Sequence, residues 1–165
     1  MNHFDFASVD IPLTLREKIV QALKAKLLAM QHEDGQGMWK NVLRGDPDDQ
    51  NFQADMGPFV CVEDGDEVVT SQWMHDANKK GLVIYFHVRF PRGIGGAVDA
   101  ATVFNYYLGK LQATIFSDYR LGGLCHDIQE TSNAPQIFTQ DNLQGGYLAI
   151  NAEYRHQPMN PYQHR

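Results

Sequence analysis

The sequence predicts an α+β fold: a mainly antiparallel sheet with two helices packed on one face, in the order α-β-β-β-β-α-β-β. Three observations predict it. Two segments repeat apolar residues at helical spacing, several others alternate apolar and polar residues with a period of two, and the gaps between the alternating runs are short. Short gaps favour antiparallel neighbours, because a parallel crossover needs a dozen residues or more.

The first helix is announced by Pro12 and Thr14. Thr14 and Glu17 have the spacing of a capping box, in which each side chain satisfies a free N–H of the other residue. Leu15, Ile19, Val20, Leu23, Leu27 and Met30 then recur on one face, and the pattern runs out near Gln31. Trp39–Arg44 reads as a short strand. The stretch from Gly45 to Pro58 is acidic and aperiodic and reads as a loop. Phe59–Glu63 is a strand, and Asp64-Gly65-Asp66 carries the Asp-Gly signal of a tight hairpin turn. Glu67–Asp76 and Gly81–Phe90 form a second hairpin. In its second arm Leu82, Ile84, Phe86, Val88 and Phe90 share the core face, and Val83, Tyr85, His87 and Arg89 share the other.

Pro91–Gly96, PRGIGG, makes a flexible corner. Ala97–Ser117 is helical, with Val103, Tyr107, Leu111 and Ile115 in one row and Asp99 at the positive end. Asp118–Gly123 turns the chain, and Leu124–Glu130 and Gln144–His156 complete the strands. The tail, residues 157–165, holds two prolines and cannot be a central strand. No repeat, linker or low-complexity tract divides the chain, so residues 1–165 are expected to form one domain. At this length roughly 70% of the unfolded surface can be buried without a disulfide or metal staple.

Composition narrows the function classes. The formal net charge of −6 opposes a dedicated nucleic-acid binder, which carries a basic face. Cys61 and Cys125 stand far apart, outside any zinc or disulfide spacing. No apolar run approaches the length of a membrane helix. The opening MNHFDFASVD lacks the basic start and apolar block of a signal peptide. The expected workplace is a reducing cytoplasm, or a particle assembled there, with no membrane.

Four constellations invite a chemical reading. Cys125-His126-Asp127 has the residue types of a thiol nucleophile, its base and the group that orients the base. On a strand, however, neighbours point to opposite faces, and no helix start follows to lower the thiol pKa. A buried structural cysteine is the better reading. RGIGG lies between a strand and a helix, yet Val98 occupies the position of a third fingerprint glycine and no GK[ST] follows. A hinge or assembly loop is favoured. DPDDQN lacks the glycine and closing glutamate of a calcium loop. The histidines show no HxH or HExxH spacing, although folding could bring His87, His126 and His156 together on neighbouring strands. No catalytic residue, metal or cofactor is therefore expected.

Several segments, taken together, resemble the tail terminator (tail completion) family of long-tailed bacteriophages. They are the helix LTLREKIVQALKAKL followed by WKNVLRG and PFVCVEDGDEV, and the helix ATVFNYYLGKLQATIFSD followed by YRLGGLCHDIQETSN and GYLAINAEYRHQPMNPYQ. The resemblance covers most of the chain and respects element order. In the family an L-G-G-L strand follows the second helix, and a last strand ends in a proline-containing stretch. The resemblance implies a virion protein without cofactor or catalytic residue. Its copies close into a ring, commonly of six, that caps the tail tube at the head-proximal end, stops polymerisation and offers a surface to head-completion or neck proteins. Assembly would take place in the host cytoplasm. Alternatives are a neck or head–tail joining protein of the same particle, or a small cysteine-dependent enzyme.

Ring closure needs heterologous contacts. The residues expected to make them, with other copies or with the tube, are Arg92, Gly93, Ile94, Gly95 and Gly96 in the corner, Asp127 and Arg155 at strand ends, and Pro158, Pro161 and Tyr162 in the tail. DNA would only pass through the lumen, which six copies at −6 each are expected to line with acid.

Overall fold

A computed structural model of the protein describes residues 12–46, 57–73, 77–137, 142–157 and 160–164. The elements in chain order are α1 (Leu15–Leu28), β1 (Asn41–Arg44), β2 (Phe59–Trp73), β3 (Ala77–Pro91), α2 (Ala100–Phe116), a 3-10 turn (Leu121–Gly123), β4 (Asp127–Ile137), β5 (Leu143–Gln157) and a short β6 (Asn160–His164). The fold is α+β. Two helices lie on one face of a five-stranded, mostly antiparallel sheet in the order β1-β2-β3-β5-β4. Only β1 and β2 run parallel, over four residue pairs. β6 is an edge addition to the end of β5, pairing His164 with His156 and Asn160 with Gln157.

The two-residue period of β3 builds the core. Leu82, Ile84, Phe86, Val88 and Phe90 are all buried on the helix-bearing face. They meet Ile19, Leu23 and Leu27 of α1 and Phe104, Leu111 and Ile115 of α2 in one cluster. Each such side chain contributes about 1.5–3 kcal/mol relative to leaving it exposed. Gly146 on β5 makes room for α2. A Cβ there would stand 2.5 Å from Phe104 Cζ and 2.3 Å from the Ala134 carbonyl oxygen, so no side chain fits beneath the helix.

Four local expectations change. The Asp64-Gly65-Asp66 stretch is a bulge inside one continuous strand, and only three strands precede α2. A hairpin would fold Glu67–Trp73 back on Phe59–Glu63. Both segments instead pair with β3, which is fifteen residues long and offers a partner to each. The bulge packs tightly, since a Cβ on Gly65 would lie 2.9 Å from the Val83 carbonyl oxygen.

The capping box forms only by half. Thr14 Oγ1 accepts from the Glu17 amide at 3.2 Å, but the Glu17 carboxylate turns away to Arg44 Nη1 at 2.7 Å. Arg44 also grips Asp64 at 2.7 Å, so this one guanidinium ties α1 and β1 to the β2 bulge. A long-range ion pair here outcompetes a local cap.

The turn expected over Asp118–Gly123 is present, with Leu121, Gly122 and Gly123 all at positive φ, so the L-G-G-L strand of the resemblance is not formed. Asp118 accepts from the amides of Arg120 (3.2 Å) and Gly122 (2.8 Å) and holds this turn closed. β4 consequently starts at Asp127, beyond the expected Leu124. α1 likewise stops at Leu28, short of Gln31, which instead bridges to Gly37.

Gly146→Val should therefore destabilise the protein by about 1–3 kcal/mol through overpacking against Phe104. Leu111→Ala should cost about 2–5 kcal/mol through the cavity it leaves. Both are read from the denaturant midpoint with the slope held constant.

Candidate functional site

The thiols are buried. Cys125 lies in the turn before β4, with its Sγ 3.4 Å from the Tyr119 carbonyl oxygen, while the neighbouring His126 is exposed. The two side chains do diverge, although a turn separates them rather than strand alternation. Burial, assisted by Asp118 and Asp127, pushes the Cys125 thiol up to about 12. Cys61 donates to the Gly45 carbonyl at 3.0 Å, and burial, reinforced by Glu63, lifts it to about 11. Raised pKa values favour the neutral thiol at both positions, and both side chains are buried.

The histidines do not converge. His87 sits mid-strand on the helix-free face, His126 in the turn before β4, and His156 at the far end on the helix-bearing side. Among the described residues no cluster of His, Cys, Asp and Glu could hold a metal.

The expected contact residues fall into two groups at opposite ends of the sheet. β3 and β5 pair along their whole length, from Pro91–Leu143 at one end to Asn78–His156 at the other. At about 3.3 Å per residue this ladder is about 45 Å long. Arg92, Gly93, Ile94, Gly95 and Gly96 stand at the first end, where the Arg92 amide donates to the Asn142 carbonyl at 2.8 Å. Ile94 and Val98 are exposed there, at 44% and 51%. Asp127, Arg155, Pro161 and Tyr162 stand at the other end, with Tyr162 44% exposed. Pro158 lies outside the described residues, as do the middle of the acidic stretch 45–58 (residues 47–56) and His75.

The corner glycines differ in kind. Gly93 and Gly96 have φ of +79° and +62° with open space around them. Gly95 is packed: a Cβ there would meet Val103 Cγ2 at 2.5 Å. A bulky residue at Gly95 would disturb the seat of α2, so it cannot serve as a fold-neutral probe of assembly. Ile94 can.

Two features escaped the sequence reading. On the helix-free face Tyr85, His87 and Tyr147 form a triangle of rings with centroids 6.1–6.4 Å apart. Glu63 holds His87 Nε2 at 2.6 Å, and His87 Nδ1 is buried without a hydrogen-bond partner among the described residues. The alternation of β3 placed Tyr85 and His87 on this face, but Tyr147 joins them only through the pairing of β3 with β5. On the opposite face, where the core ends, Lys80 Nζ lies 2.5 Å from Glu67 Oε1, and Tyr154 donates its hydroxyl to the other oxygen. Burial works to raise the Glu67 carboxyl, but the two hydrogen bonds prevail and hold it below its ordinary range. For Tyr154, burial and the bond to Glu67 act together and push its pKa up.

The Glu67 shift fixes a sign. A carboxyl with a depressed folded pKa contributes stability above its unfolded value and loses it as pH falls through the folded one. Glu67→Gln should therefore be less stable than the parent at neutral pH, and the difference should shrink on acidification below the ordinary carboxylate pKa. Thermal midpoints across that range check it. Cys61 and Cys125 should both resist a thiol reagent in the native protein at neutral pH and react fully in denaturant, and Cys125→Ser should leave assembly unchanged.

Neither a family model nor a curated protein matches this chain.

Proposed function

We propose that this chain is a structural virion protein of the tail terminator type. Its copies form a ring, commonly of six, that caps the completed tail tube, stops its growth and presents a surface to the proteins that join the head. The observation that carries the reading is that exposed apolar residues stand at both ends of one ladder, Ile94 and Val98 at one and Tyr162 at the other, while further ones, Leu28 the most exposed at 64%, lie elsewhere. A subunit that joins others head to tail needs two different docking surfaces, and large apolar residues left in water suit docking better than solubility. The element order matches the resemblance except that β2 is one strand and the LGGL segment is a turn. The inert thiols favour an assembly role over a cysteine-dependent enzyme.

The ring should appear in purified tails at the head-proximal end by electron microscopy, with a mass several times 18.7 kDa. Absence of the chain from virions would refute the reading. A position within the neck, away from the tube end, would favour the joining protein of the same particle. A basic lumen with all acids outside would refute acid lining of the DNA path. Ile94→Asp should leave the thermal midpoint within a few degrees of the parent and reduce ring yield by at least tenfold, since a charge would be buried at the contact. Unchanged ring yield would remove the corner from the interface.

A further inference from the structure

The helix-free face of the sheet is covered at one end only. Toward the end where Pro91 pairs with Leu143, the side chains of Phe59, Cys61 and Arg89 on this face are buried. Further along, Val83, Tyr85, Tyr147 and Asn151 are half-buried, and among the described residues no helix or strand lies over them. The rings of Tyr85 and Tyr147 therefore meet water along one side. A tyrosine offers an apolar body with a polar tip, and such rings are enriched where proteins join.

A carboxylate beside these rings is only half used. Because a carboxylate only accepts, His87 Nε2 carries the proton and donates to Glu63 Oε2 at 2.6 Å. Glu63 Oε1 makes no hydrogen bond among the described residues, and the side chain is 33% exposed. Glu153, further along the same face, is held by Lys79 at 2.6 Å. The uncovered area thus presents a carboxylate oxygen next to two tyrosine rings. That is the chemistry of a guanidinium site, since an arginine donates to a carboxylate and lies over an aromatic ring at once.

The same chain carries the complementary piece. Residues 91–98, the corner, hold one cation, Arg92, and no acid. Arg92, Ile94 and Val98 are all exposed. The next acid, Asp99, caps α2 by accepting from the Thr102 amide at 3.0 Å. Gly95 packs against Val103 of α2, so the corner lies on the helix-bearing side of the sheet. Corner and rings do not meet within one copy. His87, level with Tyr147, is four residues from Pro91, about 13 Å at the rise of a strand, and the sheet itself stands between.

We propose that the corner of one copy docks on the helix-free face of the next. Arg92 lies over the Tyr85 and Tyr147 rings and donates to Glu63 Oε1, while Ile94 and Val98 are withdrawn from water against the same rings. The contact sets the front of one subunit on the back of its neighbour, so it is heterologous and repeats in one rotational sense, as ring closure requires. This rests on the ring reading, and it names the surface that receives the corner.

The test is cysteine cross-linking in the full chain. Val83 on β3 and Ala134 on β4, opposite Tyr147, flank the rings on two sides, so either can be replaced with the rings left in place. Ile94→Cys is combined with Val83→Cys in one protein and with Ala134→Cys in another. The native thiols are buried and stay in place. Within one copy the new thiols stand too far apart to join, because a disulfide needs Cα atoms within about 7 Å. Under mild oxidation at least one double variant should give a non-reducing ladder in steps of one chain, reaching ring size, while each single variant stays at monomer mass. Unchanged thermal midpoints of the reduced variants establish that the folds are intact. Adding Arg92→Glu should cut the cross-linked yield at least tenfold, and an undiminished ladder overturns the guanidinium site. Rings without a ladder from either pair overturn the docking and leave the ring reading standing. Cross-linking that stops at the dimer indicates a reciprocal two-fold contact and overturns the front-to-back arrangement, as do dimers from Ile94→Cys alone. A chain that stays monomeric up to its solubility limit and is absent from virions overturns both.

Discussion

Everything in this molecule hangs on β3. It is hydrogen-bonded to β2 on one side and β5 on the other along nearly its whole length. Its alternation of Leu82, Ile84, Phe86, Val88 and Phe90 with Val83, Tyr85, His87 and Arg89 gives each face of the sheet its character. A one-residue slip in either ladder would exchange the two sets, putting Arg89 into the helix layer and Phe90 outside. The cost of exposing Phe86, Phe90 and the other large apolar groups of the core face holds the register; Arg89 is already buried where it stands. The register in turn positions both helices, the aromatic triangle and the two ends of the ladder.

The two helices are fastened to this frame by different physics. α2 is seated by shape: Phe104 occupies the space that Gly146 leaves empty, and the packed Gly95 lets the connecting corner reach Val103. α1 is seated partly by charge, through Arg44 between Glu17 and Asp64 and through Arg16 donating to the Gly65 carbonyl at 3.1 Å. The loop after α1 is clasped to α2 by a hydrogen bond from Tyr106 to Glu33 at 2.6 Å and by Lys110 at 2.6 Å from the same carboxylate. Glu33 is exposed, so solvent screens that clasp, which orders the loop more than it stabilises the fold.

The assembly reading follows from what the frame leaves uncovered. Helices close one face. The other face carries half-buried rings near its centre, and among the described residues part of each sheet edge has no strand beside it. Natural sheets that remain monomeric blunt such edges with bulges, prolines and charge. This one does so along β4, where a bulge and Pro135 lie, and on β2, where the register shifts between Asp64 and Glu67 and again between Val69 and Ser71, beside two valines that face water.

The apolar pattern of residues 15–28, 82–90 and 100–116 dictates two helices on a largely antiparallel sheet, because burial periodicity is a local property of the chain. The same local character makes the bulk of the core and the burial of Cys125 readable from residue order alone. The bulge at Gly65 and the diversion of Glu17 to Arg44 depend on residues distant in sequence, whereas the turn at Leu121–Gly123 is held locally by Asp118. A hairpin signal and a capping box each lost to a longer-range partner. The division of the contact residues between two ends of a ladder, the meeting of Tyr147 with Tyr85 and His87, and the open edge at Val68 and Val69 arise from strand pairing. Pairing is a contest among all strands for the same hydrogen bonds, and its outcome is settled only when the sheet closes around β3.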